Sequence, residues 1–128
     1  MEGLYVFIKK SLEERVPPFH YPNNKYRLAK TSNRAGRNAQ HFICTLGTDI
    51  DSTAGGFSGE EPTFKTMTGT SQAAPLVTSA LLLGLQKYPG IKATDLLKKL
   101  YDSADHLEGL EYWYGHGIMD VKRFLEIQ

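Results

Sequence analysis

Residues 70–86 set the tightest bound on the fold. The stretch has no turn-former except Pro75 and Gly84 and is rich in Ala and Leu. Such a run reads as an α-helix. Ala73, Ala74, Leu76, Val77, Ala80, Leu81, Leu82, Leu83 and Leu85 place apolar groups nearly all round it, so a buried helix is expected over about 71–86. Pro75 has no N–H and is tolerated in a first turn, which puts the expected start near Ser71 or Gln72. Tyr88, Pro89 and Gly90 close it.

The residues ahead of this helix have the opposite character. Residues 3–8 and 41–46 are apolar and rich in β-branched and aromatic side chains, and read as strands. Residues 26–29 and 64–67 read as shorter ones. Between them, residues 16–24 carry Pro17, Pro18 and Pro22, and residues 31–40 and 47–61 are rich in Gly, Asn and Ser, so all three read as loop or surface segments. Behind the long helix a second is expected over about 93–103, with Thr94 as its N-cap and Leu96, Leu97, Leu100 and Tyr101 as its apolar stripe. Residues 114–117 read as a turn, and Asp120 as the cap of a last short helix through Ile127. Strands followed by helices make an α/β architecture.

Composition narrows the function classes. The 128 residues are 41% hydrophobic and 23% charged, ordinary for a single globular domain. Fifteen Lys and Arg against fourteen Asp and Glu leave a net charge of +1, without the basic excess of a nucleic-acid binder. The longest apolar run is too short, and too broken by Thr78, Ser79 and Gly84, to span a bilayer. Cys44 is the sole cysteine, which excludes an internal disulfide and a cysteine-rich zinc site. No signal peptide is visible, no cofactor motif is present and no metal site is expected. Asp49, Asp51, Glu60 and Glu61 read as a solvated loop face; a calcium site would need more oxygen ligands at defined spacing.

The segment with chemical content is Gly69, Thr70, Ser71, Gln72, Ala73, Ala74, Pro75, Leu76 and Val77. It places a serine at a loop-to-helix junction. Unpaired N–H groups and the positive end of the dipole gather at such a helix start. A serine there presents its hydroxyl from a rigid element and offers its own N–H as an oxyanion donor. Gly69, Ala73 and Ala74 are small and leave room for a substrate backbone. The bland alternative is that Thr70 or Ser71 merely caps the helix.

The longer string resembles the nucleophile motif of the subtilisin-like serine proteases, or subtilases, which reads G-T-S-x-A-x-P-x-V. Its flanks are similar to the family's in the same order. Residues 32–36 resemble the turn S-N-x-G, and residues 46–53 the segment A-P-G-x-x-I-x-S-T. Residues 64–71 resemble the approach to the serine. Residues 96–104 are similar to the following helix, and residues 114–120 to the closing G-x-G element. The resemblance is clearest over 31–125. It implies a partial subtilase catalytic domain over 1–128, the C-terminal portion of a three-layer α/β fold with a mostly parallel sheet. It further implies a serine endopeptidase acting on polypeptides, with Ser71 as nucleophile and its backbone N–H as one oxyanion donor. No cofactor, nucleic-acid or membrane partner is implied, and localisation stays open.

The family's triad runs in the order Asp, His, Ser. The first aspartate here is Asp49, and only His20 and His41 precede Ser71, neither in the family's H-G-T setting. The order cannot be met within these residues, so the missing N-terminal part of the same domain is the partner the resemblance implies. The family's oxyanion asparagine has no clear counterpart either: Lys9, Lys10 and Ser11 follow the first strand, and Asn23, Asn24, Asn33 and Asn38 read as turn residues. His20, His41, His106 and His116 read as surface or structural residues, and Cys44 as a small buried hydrophobe. Three readings follow: a protease fragment lacking its Asp and His segments, a catalytically inactive remnant that binds peptide or protein, and an unrelated α/β protein in which Ser71 only caps a helix. A partial parallel sheet exposes apolar surface, so the isolated chain is expected to be poorly soluble or partly folded.

Overall fold

A computed structural model describes residues 4–10, 26–29, 31–55, 59, 61 and 63–127. In sequence order the elements are β1 (Leu4–Lys10), β2 (Tyr26–Leu28), a 3-10 segment (Gly36–His41), β3 (Phe42–Leu46), β4 (Ile50–Ala54), β5 (Thr63–Met67), α1 (Thr70–Lys87), α2 (Ala93–Ser103), α3 (Glu111–Tyr114) and α4 (Val121–Phe124).

β3 organises the core. Successive side chains of a strand point to opposite faces, so Phe42 and Cys44 go one way and Ile43 the other. Phe42 and Cys44 pack with Ala35, Leu107, Tyr114 and Ile118 beneath the 3-10 segment and α3. Ile43 packs with Val77 and Ala80 of α1, Leu96 and Leu100 of α2, and Phe124 beside Leu125 at the end of α4. Both faces are therefore covered, which is why the strand reads as a continuous apolar run rather than an alternating one.

Both edges of β3 are paired in parallel. On one side it meets β1 in the register Leu4 with Phe42 through Ile8 with Leu46. β2 lies antiparallel on the far edge of β1, giving the order β2-β1-β3. On the other side Ile118 bridges to Cys44. His116 N–H donates to Phe42 O at 2.8 Å, Cys44 N–H to Gly117 O at 2.9 Å, and Met119 N–H to Cys44 O at 2.8 Å. Ile118 also exchanges backbone bonds with Asp105.

This segment needs two glycines. Gly115 and Gly117 hold φ of 58° and 102°, a region that favours glycine. A Cβ on Gly115 would lie 2.2 Å from Phe42 O, and one on Gly117 2.1 Å from Asp105 O.

The expected elements form, with corrections. α1 begins at Thr70, so Pro75 falls beyond the first turn and has no N–H to offer the Ser71 carbonyl. The expected all-round burial of this helix does not hold. Only Ala73, Val77, Ala80 and Gly84 are buried, whereas Leu82, Leu83 and Leu85 are 60%, 47% and 47% exposed. The sheet and α2 cover one stripe of α1, and the described residues put no element against the other. Gly84 is a contact point rather than punctuation: a Cβ there would meet Phe124 Cζ at 2.5 Å and Leu96 Cδ1 at 2.8 Å.

α2 matches its expected bounds, but Lys92 occupies the N-cap position and Thr94 makes no cap bond. Asp120 does cap α4, its Oδ1 accepting from Arg123 N–H at 2.9 Å; the helix stops at Phe124 rather than Ile127. Residues 47–61 contain β4, which pairs antiparallel with β5 from Ile50 with Met67 to Ala54 with Thr63. Its mostly exposed polar side chains carry no apolar signal; backbone pairing holds the hairpin. Residues 16–24, which contain His20, Asn23 and Asn24, lie outside the described residues, as does Glu60.

Candidate active site

The loop leading to Ser71 is fastened to the end of β3. Gly69 N–H donates to Gly47 O at 2.8 Å. Asp49 N–H donates to Thr68 Oγ1 at 2.9 Å, with Asp49 itself in the left-handed region at φ 53°. Gln72 Nε2 reaches back to Met67 Sδ at 3.8 Å. These contacts aim α1 from the carboxyl end of a parallel strand, where open α/β sheets form their clefts.

Gly69 is the N-cap residue, and no side-chain group caps the helix. Thr70 and Ser71 are its first two residues, so neither fills the capping role that the bland reading gave them. The first backbone donors to find acceptors are Gln72 N–H and Ala73 N–H, which both reach Gly69 O at 3.1 Å and 3.3 Å. Among the described residues the N–H groups of Thr70 and Ser71 have no backbone partner. Ser71 is exposed, and Ala73 behind it is fully buried. A Cβ on Gly69 would lie 2.8 Å from Gln72 Oε1, the end of a side chain that can turn aside.

The three described histidines are engaged elsewhere. His116 stacks on Tyr101 at 3.9 Å with rings 6° from parallel, and its Nε2 sits 2.9 Å from Gln40 O. His41 Nε2 lies 3.2 Å from Gln40 Nε2. His106 pairs with Glu111 at 3.2 Å. Backbone N–H groups at Glu111 and Gly109, with His106 adding, hold the Glu111 carboxyl below its ordinary range. Asp51 accepts from Thr66 Oγ1 across the hairpin. Among the described residues no imidazole and no carboxylate is hydrogen-bonded to Ser71.

Cys44 is no rival nucleophile. It is buried at 0% exposure, its Sγ lies 3.5 Å from Tyr114 O, and burial pushes its thiol far above the ordinary range. Asn33 and Asn38 are exposed residues of the loop and the 3-10 segment. The described residues hold no group of three metal-ligating side chains, and none of their helices is long and apolar enough to cross a membrane.

The Subtilase family model matches residues 23–117, which includes the whole of the Ser71 loop and α1. The chain belongs to the subtilase family. Subtilisin DY of Bacillus licheniformis is 37% identical to this subtilase over 60 residues, covering 47% of its length and 22% of subtilisin DY. The crystal structure of fervidolysin from Fervidobacterium pennivorans, a keratinolytic enzyme related to subtilisin, superposes with a TM-score of 0.71 at 24% identity, over 97% of this protein and 19% of that one. Subtilase cytotoxin SubAB superposes with a TM-score of 0.68 at 20% identity, over 96% and 35%. The fold is thus the subtilisin-like α/β fold, and the protein spans only about a fifth of subtilisin DY.

Proposed function

We infer that Ser71 is the nucleophile of a serine endopeptidase acting on polypeptides, in a protein that holds the serine half of the site. The observation that supports this most is the uncapped start of α1, with an exposed serine beside two N–H groups that have no backbone partner among the described residues. Attack of Ser71 Oγ on a peptide carbonyl creates an oxyanion. The Ser71 N–H and the positive end of α1 stabilise negative charge there, and one such donor is worth about 10²–10³ in rate. The proton leaving Oγ needs an imidazole held by a carboxylate. In this reading both come from a segment outside the described residues, consistent with the small share of the relatives' length that is spanned here.

The test joins reading frame and chemistry. The genomic frame upstream of Met1 is sequenced, and the longest product is treated with a fluorophosphonate probe. An upstream aspartate strand and a His-Gly-Thr helix, labelling of the long product and its loss in Ser71→Ala are expected. A long product that carries both segments yet does not label refutes the assignment.

A second reading is a triad-less remnant that binds peptide without cleaving it. It is favoured by the engagement of His41, His106 and His116 away from Ser71. A stop codon close to Met1, with the short product stably expressed, selects it.

A further inference from the structure

Arg34 stands out among the charged side chains by what holds it. Its guanidinium carbon lies 5.0 Å from the centre of the Trp113 ring and 5.6 Å from that of Tyr112. The two rings meet edge to face at 6.2 Å. The backbone fixes this arrangement: Ala35 is buried, and its N–H donates to Trp113 O at 3.2 Å. The loop before the 3-10 segment and the start of α3 are thereby held together.

Both rings lie within cation–π range of the guanidinium, whose N–H groups radiate in its plane. Among the described residues no carboxylate pairs with Arg34. The acidic residue of α3, Glu111, is taken by His106 and the Gly109 N–H. Beside Arg34 opens a cleft of about 560 Å³, lined by Ser32, Asn33, Asn38 and Trp113 among others. It combines a planar cation held beside two rings, two side-chain amides and an indole. It lies against the Phe42 and Cys44 side of β3, whereas α1 covers the Ile43 side.

We propose that this cleft is a binding site for a carboxylate-bearing peptide segment, separate from Ser71, in which Arg34 grips the carboxylate and Trp113 carries the apolar stem. A planar guanidinium matches a carboxylate with two parallel N–H bonds, which a lysine cannot reproduce. Asn33 and Asn38 supply amide groups for the peptide backbone of the occupant. The carboxylate belongs either to an acidic side chain or to the C-terminal end of a polypeptide, and both present the same two oxygens. The site stands or falls independently of proteolysis.

Trp113 is the sole tryptophan of the sequence, so its emission reports this cleft alone. The 128-residue protein at low micromolar concentration is titrated, at constant ionic strength, with N-acetylglutamate α-amide, with N-acetylglycine and with N-acetylglutamine α-amide. Both carboxylates are expected to change the emission saturably in the millimolar range, and the neutral glutamine compound is not. The tighter of the two carboxylates identifies the source. Arg34→Gln is expected to weaken the response about tenfold, the scale of a charged hydrogen bond, and Arg34→Lys to restore little of it. Far-UV circular dichroism checks that both variants stay folded, as the exposure of Arg34 leads one to expect. An equal response to the neutral compound, no response to either carboxylate, or an unchanged response in folded Arg34→Gln overturns the proposal.

Discussion

Gly117→Ala separates two costs that a glycine can hide. The first is conformational: φ of 102° is strained for any residue with a Cβ, at about 1–3 kcal/mol. The second is spatial. The new Cβ would stand 2.1 Å from Asp105 O and 2.8 Å from the carbonyl carbon, and backbone cannot swing aside as a side chain does. Relief requires residues 116–119 to move away from Asp105 or from β3. That strains the bonds Asp105 N–H to Ile118 O at 2.7 Å, Ile118 N–H to Asp105 O at 3.1 Å and Cys44 N–H to Gly117 O at 2.9 Å. Weakening two of these adds about 1–3 kcal/mol. The total is about 2–6 kcal/mol, a large part of the stability of a small domain.

Gly109 supplies the control. Its φ is 78°, yet nothing lies within 4 Å of the Cβ it would carry. Gly109→Ala is expected to lose only the conformational part, about 1–3 kcal/mol. Urea unfolding followed by Trp113 emission and by far-UV circular dichroism measures both. With a slope of about 2 kcal/mol/M, the Gly117→Ala midpoint falls by about 2 M and the Gly109→Ala midpoint by about half of that. Equal losses would refute the role given to the close approach of Asp105.

Other expectations rest on separate features. The isolated 128-residue protein is not labelled at Ser71 by a fluorophosphonate, because no described imidazole reaches the hydroxyl; labelling that disappears in Ser71→Ala would mean that a base is supplied within it. The open face of α1 drives self-association: the double variant Leu82→Lys, Leu83→Lys sediments as a monomer at concentrations where the parent does not, and identical profiles would show that this face is inert. Burial raises the Cys44 thiol pKa in the folded state, so above about pH 8.5 the unfolded protein loses a proton that the folded one keeps. Stability is then unaffected below that pH and falls above it by up to about 1.4 kcal/mol per pH unit, a slope that Cys44→Ala should flatten. Gly84→Ala costs about 1–3 kcal/mol in thermal unfolding, since Phe124 and Leu96 enclose the added methyl; a neutral result would mean that α4 shifts freely.

What can be read from the sequence follows from how each element is held. α2 announces itself because Leu96 and Leu100 recur at helical spacing and both are buried. β3 is legible because both its faces are covered and its side chains are apolar without interruption. β4 is not: Asp51, Ser52 and Thr53 are exposed, and pairing with β5 makes a strand of them. The full burial expected of α1 fails because leucines show a preference for cover and not its presence. At the candidate site the sequence carries the serine and its helix start. It carries no sign of the cleft at Arg34, which depends on the pairing of Ala35 with Trp113 across the fold.

The pairing of Cys44 with Ile118 also orders events during synthesis. β3 leaves the ribosome well before residues 116–119 exist, and polypeptides emerge at about 5–20 residues per second. For several seconds the strand can pair with β1 alone, and its other edge is an open template for any extended segment nearby. A nascent polypeptide stalled or clipped ahead of Gly115 keeps that edge permanently. Such a product retains the whole Ser71 motif and yet lacks the cover of β3, which makes residues 115–119 the guard against misassembly of everything before them.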